Sequence, residues 1–101
     1  MNTQSKPKIL VARAIFPEAL AKLEETFEVR SNQEDRIFTP AELQKELSGV
    51  VGALVAGSER IDAGALANAK NLKIVANISV GYNNFDIPAI TAAGVMATNT
   101  P

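Results

Sequence analysis

Three uninterrupted apolar runs, each of strand length and each closed by turn or helix-start residues, decide most of what this chain can become: 8–13 (KILVAR), 51–56 (VGALVA) and 72–78 (LKIVANI). A strand with one wet face alternates apolar and polar residues. A strand covered on both faces does not, and that second pattern belongs to parallel sheets roofed by helices. Two weaker strands complete the set. Residues 27–31 (FEVRS) alternate, which predicts an edge position, and 95–98 (VMAT) begin a fifth strand.

The connections carry matching helix signals. Pro17 suits a first helical turn, where no amide hydrogen is needed, Glu18 suits the positive end of the helix dipole, and Phe16 is placed to staple onto Leu20. Leu20, Leu23 and Phe27 form the inward stripe of this first helix. Thr39 and Glu42 flank Pro40 at capping-box spacing, Leu43, Leu47 and Val50 make the stripe of the second helix, and Gly49 supplies the left-handed residue at its end. Asp62 caps a short third helix running to Ala69, and residues 86–94 (DIPAITAAG) form a fourth, closed by Gly94. Five strands alternating with four helices make a doubly wound α/β pattern. With right-handed crossovers and the three fully apolar strands inside, the expected architecture is a flavodoxin-like parallel sheet of order 2-1-3-4-5 with helices on both faces.

Charge and residue usage exclude several classes of function. Ten basic and eleven acidic side chains in 101 residues give a net charge of −1 without a basic stripe, so a nucleic-acid partner is not expected. Neither Cys nor His occurs. Disulfides and thiolate nucleophiles are thereby removed, together with the commonest general base and the commonest metal ligands, and no metal site is expected. The first eight residues (MNTQSKPK) lack the apolar core of a secretory signal and no apolar run is long enough to span a bilayer, which points to a cytoplasmic protein without membrane contact.

The stretch where a ligand is expected is 76–86 (ANISVGYNNFD), in which a buried strand stops in a glycine and two asparagines before a helix starts. Ligands of open parallel sheets sit at the carboxyl ends of the strands. Ser79, Val80 and Gly81 leave the strand where successive N–H groups can converge on an anion, and glycine permits both the dihedral angle and the close approach. A carboxylate fits such a nest. Spacing alone favours a plainer reading, an ordinary turn in which Asn83 and Asn84 tolerate left-handed dihedral angles, Tyr82 and Phe85 pack, and Asp86 caps the next helix. Ala56, Gly57 and Ser58 leave the third strand on the same edge, as neighbouring wall or as turn. Glu59 and Arg60 are expected to be solvated, and Arg13 is equally open to either reading.

Two nucleotide or phosphate chemistries fail on their residues. Dinucleotide binding needs G-x-G-x-x-G after the first strand, and that turn reads ARAIFPE (12–18). The cluster GVVGALVAG (49–57) has the wrong spacing and lies across a strand. A phosphoacceptor receiver needs acidic residues after the first strand and an aspartate ending the third, where Arg13 and Gly57 stand.

Residues 55–101 carry three blocks in register, GSERID (57–62), LKIVANISVGYNNFD (72–86) and AAGVMATNTP (92–101). Together they resemble the amino-terminal part of the D-isomer-specific 2-hydroxyacid dehydrogenases, within which the bacterial glyoxylate/hydroxypyruvate and 2-ketogluconate reductases are most similar. Residues 8–13 through the second helix fit the same family more loosely. The departures are small: Asn83 stands where many members have aspartate, and Phe85 where many have isoleucine.

The resemblance implies that residues 1–101 are the amino-terminal part of a substrate-binding domain. A Rossmann domain inserted after Asn99–Pro101 and a returning carboxyl-terminal helix would then lie outside this chain. It implies a small 2-keto or 2-hydroxy acid as substrate, held through its carboxylate by the main chain of Ser79, Val80 and Gly81, with Ala56 and Gly57 lining the same cleft. The family's arginine, histidine and glutamate, and the site for NAD or NADP, have no counterpart here, so no catalytic residue and no bound cofactor are expected in the chain. The whole enzyme is expected to be a homodimer, and the piece to self-associate through apolar surface that the returning helix would cover. A second reading remains at this point: a stand-alone flavodoxin-like binding or assembly module in which the Gly81 turn is only a turn.

Overall fold

Within residues 6–32, 37–78 and 83–99, which the computed structural model describes, strands and helices alternate from end to end. They are β1 (Lys8–Val11), α1 (Pro17–Glu24), β2 (Glu28–Ser31), α2 (Pro40–Leu47), β3 (Gly52–Val55), α3 (Ala63–Leu66), β4 (Ile74–Asn77), α4 (Ile87–Ala92) and β5 (Met96–Asn99). Every strand pair is parallel and the order is β2-β1-β3-β4-β5, as the apolar runs require. The strands are shorter than those runs because each ladder stops with its neighbour. β3 pairs from Gly52 with Ile74 to Val55 with Asn77, which leaves Leu72 and Ile78 outside β4.

Local signals explain the helix starts. Thr39 Oγ1 accepts from the Glu42 amide at 3.1 Å and Glu42 Oε1 accepts from the Thr39 amide at 2.8 Å, a complete capping box around Pro40. Asp62 accepts from the Ala65 amide at 3.0 Å and Asp86 from the Ala89 amide at 3.2 Å, so α3 and α4 are capped in the same way. Gly49 and Gly94 take φ angles of 84° and 75°, the left-handed turn-out after α2 and α4. α3 is a single turn that ends at Leu66 rather than at Ala69.

Residue parity along the strands separates two faces. Leu10, Ala12, Ala53, Val55 and Val75 point to one side, where they join Leu43 and Leu47 from α2, Val50 from the turn after it, Leu66 from α3 and Ile90 from α4 in one buried cluster. Val11, Leu54, Ala76, Ile74 and Met96 alternate to the other side, where α1 lies beside β2. Gly52 belongs to this second row, and a Cβ there would approach Ile74 Cγ2 to 3.3 Å.

Here the expectation for α1 needs correction. Leu20, Leu23 and Phe27 are only half-buried, no residue of α1 is fully buried, and Phe16, the residue at the helix N-cap, is 81% exposed and makes no staple. The cause is the missing cover: α1 lies beside β2, and Ile74, Ile78 and Met96 on the same side of the sheet stay exposed. A hollow of about 760 Å³ lies there, walled by Ile15, Phe16, Ala19, Leu23, Leu54 and Ile78.

Candidate functional site

Parallel strands deliver their carboxyl ends to one edge, so the turns after β1, β3 and β4 meet there. The turn after β3 folds back on its own backbone. Glu59, three residues beyond Ala56, accepts from the Ala56 amide through Oε1 at 2.9 Å and from Ser58 Oγ through Oε2 at 2.6 Å. Arg13, arriving from the end of β1, donates from Nη1 to Ser58 Oγ at 2.9 Å and lies 3.8 Å from Glu59 Oε2. Glu59 is therefore 2% exposed, not solvated as residues beside a turn usually are. Its charge is tolerated because an amide, a hydroxyl and a guanidinium converge on the carboxylate. Arg60 does point to solvent, with Nε 3.5 Å from Asp62 Oδ2.

The turn after β4 is fastened to this one. Asn84 donates from Nδ2 to the carbonyl oxygens of Ala56 at 3.0 Å and Glu59 at 2.8 Å, and its Oδ1 accepts from Asn77 Nδ2 at 2.8 Å. The main chain adds two bonds: the Ile61 amide to the Asn84 oxygen at 2.8 Å and the Asp86 amide to the Ile61 oxygen at 2.9 Å, a one-residue parallel bridge between Ile61 and Phe85. Every buried side-chain polar atom among the described residues has a partner.

The residues expected at the site divide accordingly. Ser79, Val80 and Gly81 lie outside the described residues, between Ile78 and Asn83. Ala56 stands at the edge with its amide engaged by Glu59 and its carbonyl by Asn84 and by the Glu59 amide, so it can offer a ligand a wall but no hydrogen bond. Gly57 follows it and is exposed. Arg13 and Glu59, the charged pair at this edge, bind each other. Sequence reasoning missed Asn77 and Asn84 as a buried pair. A signal existed: Asn77 shares strand parity with buried Val75, and a carboxamide facing a core requires a partner.

His is absent from the chain, and the Glu59 carboxylate at this edge is buried and engaged by the Ala56 amide, Ser58 and Arg13. No cluster of three His, Cys, Asp or Glu among the described residues is placed to hold a metal ion. Nicotinamide dinucleotides do not fit the first β-to-α turn: it has no glycine to admit a pyrophosphate, and Pro17 removes one amide from the start of α1. The hollow by α1 is walled mainly by alkyl and phenyl groups, with Lys22 among its lining residues.

Known proteins match this edge and this sheet. A glyoxylate reductase of Pyrococcus furiosus is 41% identical over 96 residues, covering 95% of this chain and 29% of that protein. Glyoxylate/hydroxypyruvate reductase B of Klebsiella pneumoniae is 30% identical over 99 residues, with the same coverage of each. Among solved structures, the NADPH-dependent glyoxylate/hydroxypyruvate reductase of Sinorhizobium meliloti, crystallised with NADP and malonate, superposes with a TM-score of 0.72 at 33% identity, over 96% of this chain and 29% of that one. The chain thus spans under a third of the length of these relatives. Residues 9–101 match the family described as D-isomer specific 2-hydroxyacid dehydrogenase, catalytic domain, and the chain belongs to that family.

Proposed function

We propose that this chain is the substrate-binding part of an NAD(P)-dependent oxidoreductase that interconverts small 2-keto acids (glyoxylate, hydroxypyruvate, 2-ketogluconate) and D-2-hydroxy acids. The observation that carries the reading is membership of the 2-hydroxyacid dehydrogenase family over residues 9–101. Ser79, Val80 and Gly81 hold the acid's carboxylate through main-chain amides, with Ala56 and Gly57 as the facing wall. Each charge-assisted amide contact contributes roughly 1.5–3 kcal/mol, enough for two or three to orient a small acid without a cation. Hydride transfer and proton transfer belong to residues and an NAD or NADP site outside this chain, in an inserted Rossmann domain.

The working enzyme is a homodimer in the cytoplasm. Among the described residues no helix is long and apolar enough to cross a membrane. Purified chain incubated with hydroxypyruvate and either NADPH or NADH is expected to leave the cofactor's 340 nm absorbance, on the order of one unit at the start, unchanged, because the proposal assigns the acid, the base and the site that orients the cofactor to the inserted domain. Cofactor oxidation that follows chain concentration would overturn the division of labour proposed here.

A further inference from the structure

The two outer strands of the sheet are protected unequally. In β2, at one edge, Glu28 lies 3.9 Å from Lys8 and Arg30 donates to the Glu46 carbonyl at 3.1 Å. Charged side chains on an edge strand oppose the addition of another strand. β5, at the other edge, reads Met-Ala-Thr-Asn and has no such guard. The lack of charge extends beyond the strand: residues 87–101, which include α4 and β5, contain none of the ten basic and eleven acidic side chains of the chain. Met96, 66% exposed, and Thr98, also exposed, share the open face of the sheet at this edge.

The ladder determines which main-chain groups of β5 are left over. The Met96 amide donates to the Lys73 oxygen at 2.9 Å, so Met96 is turned toward β4. The N–H and C=O of one strand residue point to the same side and successive residues alternate, so those of Ala97 point away from β4. Among the described residues no strand lies on that side. The Val95 carbonyl and the Asn99 amide share the direction of Ala97, while the Val95 amide is already bonded to the Ile90 oxygen at 3.1 Å. This set is its own complement. An antiparallel copy placed about a twofold axis at Ala97 exchanges both Ala97 hydrogen bonds and adds the Asn99 amide to the Val95 carbonyl in each direction. Met96 then stands across from Thr98 of the other copy, on the open face, and no charge in either strand faces another.

We propose that two copies of this chain pair through β5, antiparallel about Ala97, so that the sheet continues across a twofold axis. A second copy is the occupant because the edge presents a hydrogen-bonding pattern that it satisfies with itself and no charge that would select a different chain. One short strand buries less than the roughly 800 Å² per partner of a standard interface, so the pairing is weak and populated toward millimolar chain.

The test joins sedimentation velocity to amide hydrogen exchange of the ¹⁵N-labelled chain, from micromolar to millimolar concentration. The mass is expected to rise toward twofold while exchange at Ala97 and Asn99 slows several-fold, with Met96, bonded within its own sheet, unchanged. Ala97→Pro removes the outward amide and leaves the Met96 bond to β4, a change that edge strands tolerate. It is expected to lower the association constant at least about tenfold, since two main-chain hydrogen bonds are lost. A chain that stays monomeric, association with Ala97 exchange unchanged, or folded Ala97→Pro that pairs as strongly as the wild type would each overturn the proposal. Should Ala97→Pro not fold, Thr98→Lys decides, because it sets a charge across from Met96 of the other copy at an exposed position. It is expected to weaken pairing several-fold and to restore fast exchange at Ala97, and unchanged pairing would refute the inference.

Discussion

The two faces of the sheet differ in how far they are finished. On one, α2, α3 and α4 roof Leu10, Ala12, Ala53, Val55 and Val75, and the interior is closed. On the other, Val11 is buried, while Ile74, Ile78 and Met96 are left 39%, 38% and 66% exposed. The strands are nonetheless apolar on both sides. Residues at β3 and β4 that alternate toward the open side, Leu54, Ile74 and Ala76, are as apolar as those beneath the roof. Large open apolar patches mark interaction surfaces, and the proposed reading of this face is that it takes its cover from elsewhere. The contrast teaches that stability and completeness are separate properties of this fold.

Mutations should expose the asymmetry. Leu47→Ala, at the centre of the roofed face and fully buried, is expected to cost about 2–5 kcal/mol in urea unfolding, through lost transfer energy plus a cavity. Met96→Ala on the open face should stay below about 0.5 kcal/mol, as surface changes usually do. Equal costs would erase the distinction between the faces. Glu59→Ala, at the rim, removes the acceptor of the Ala56 amide and the partner of Ser58 and Arg13, with an expected cost of about 1–3 kcal/mol in the same measurement. The smallest effect on stability belongs to Met96→Lys, at a residue 66% exposed, which should barely move the unfolding midpoint, yet it should weaken concentration-dependent self-association in sedimentation velocity if the open face drives it. Wild-type chain that sediments as a monomer at high concentration would remove that surface as a driver.

Much of the fold was legible because it rests on local rules. Uninterrupted apolar runs announced the inner strands, the alternation of residues 27–31 announced the edge strand, and Thr39 with Glu42 announced α2. The inward stripe of α1 failed because spacing reports which residues want burial, not whether anything arrives to bury them. At the site, position along the sheet edge was legible and side-chain partnership was not. Glu59 reads in sequence as one more charged turn residue, and its burial depends on Arg13, which is far away in sequence and joined only by the β1–β3 pairing. Asn84 likewise reads as a turn former, and its bonds to Ala56 and Glu59 exist only once the two loops meet.

The most direct test of the central claim is residue-resolved. With the ¹⁵N-labelled wild-type chain, glyoxylate at millimolar concentration should shift the amide signals of Ser79, Val80 and Gly81, with smaller movements at Ala56 and Gly57, and leave the rest of the sheet and the hollow beside α1 unchanged. Shifts centred on Leu23, Leu54 and Ile78 instead, or none at all, would contradict a main-chain carboxylate site at the end of β4.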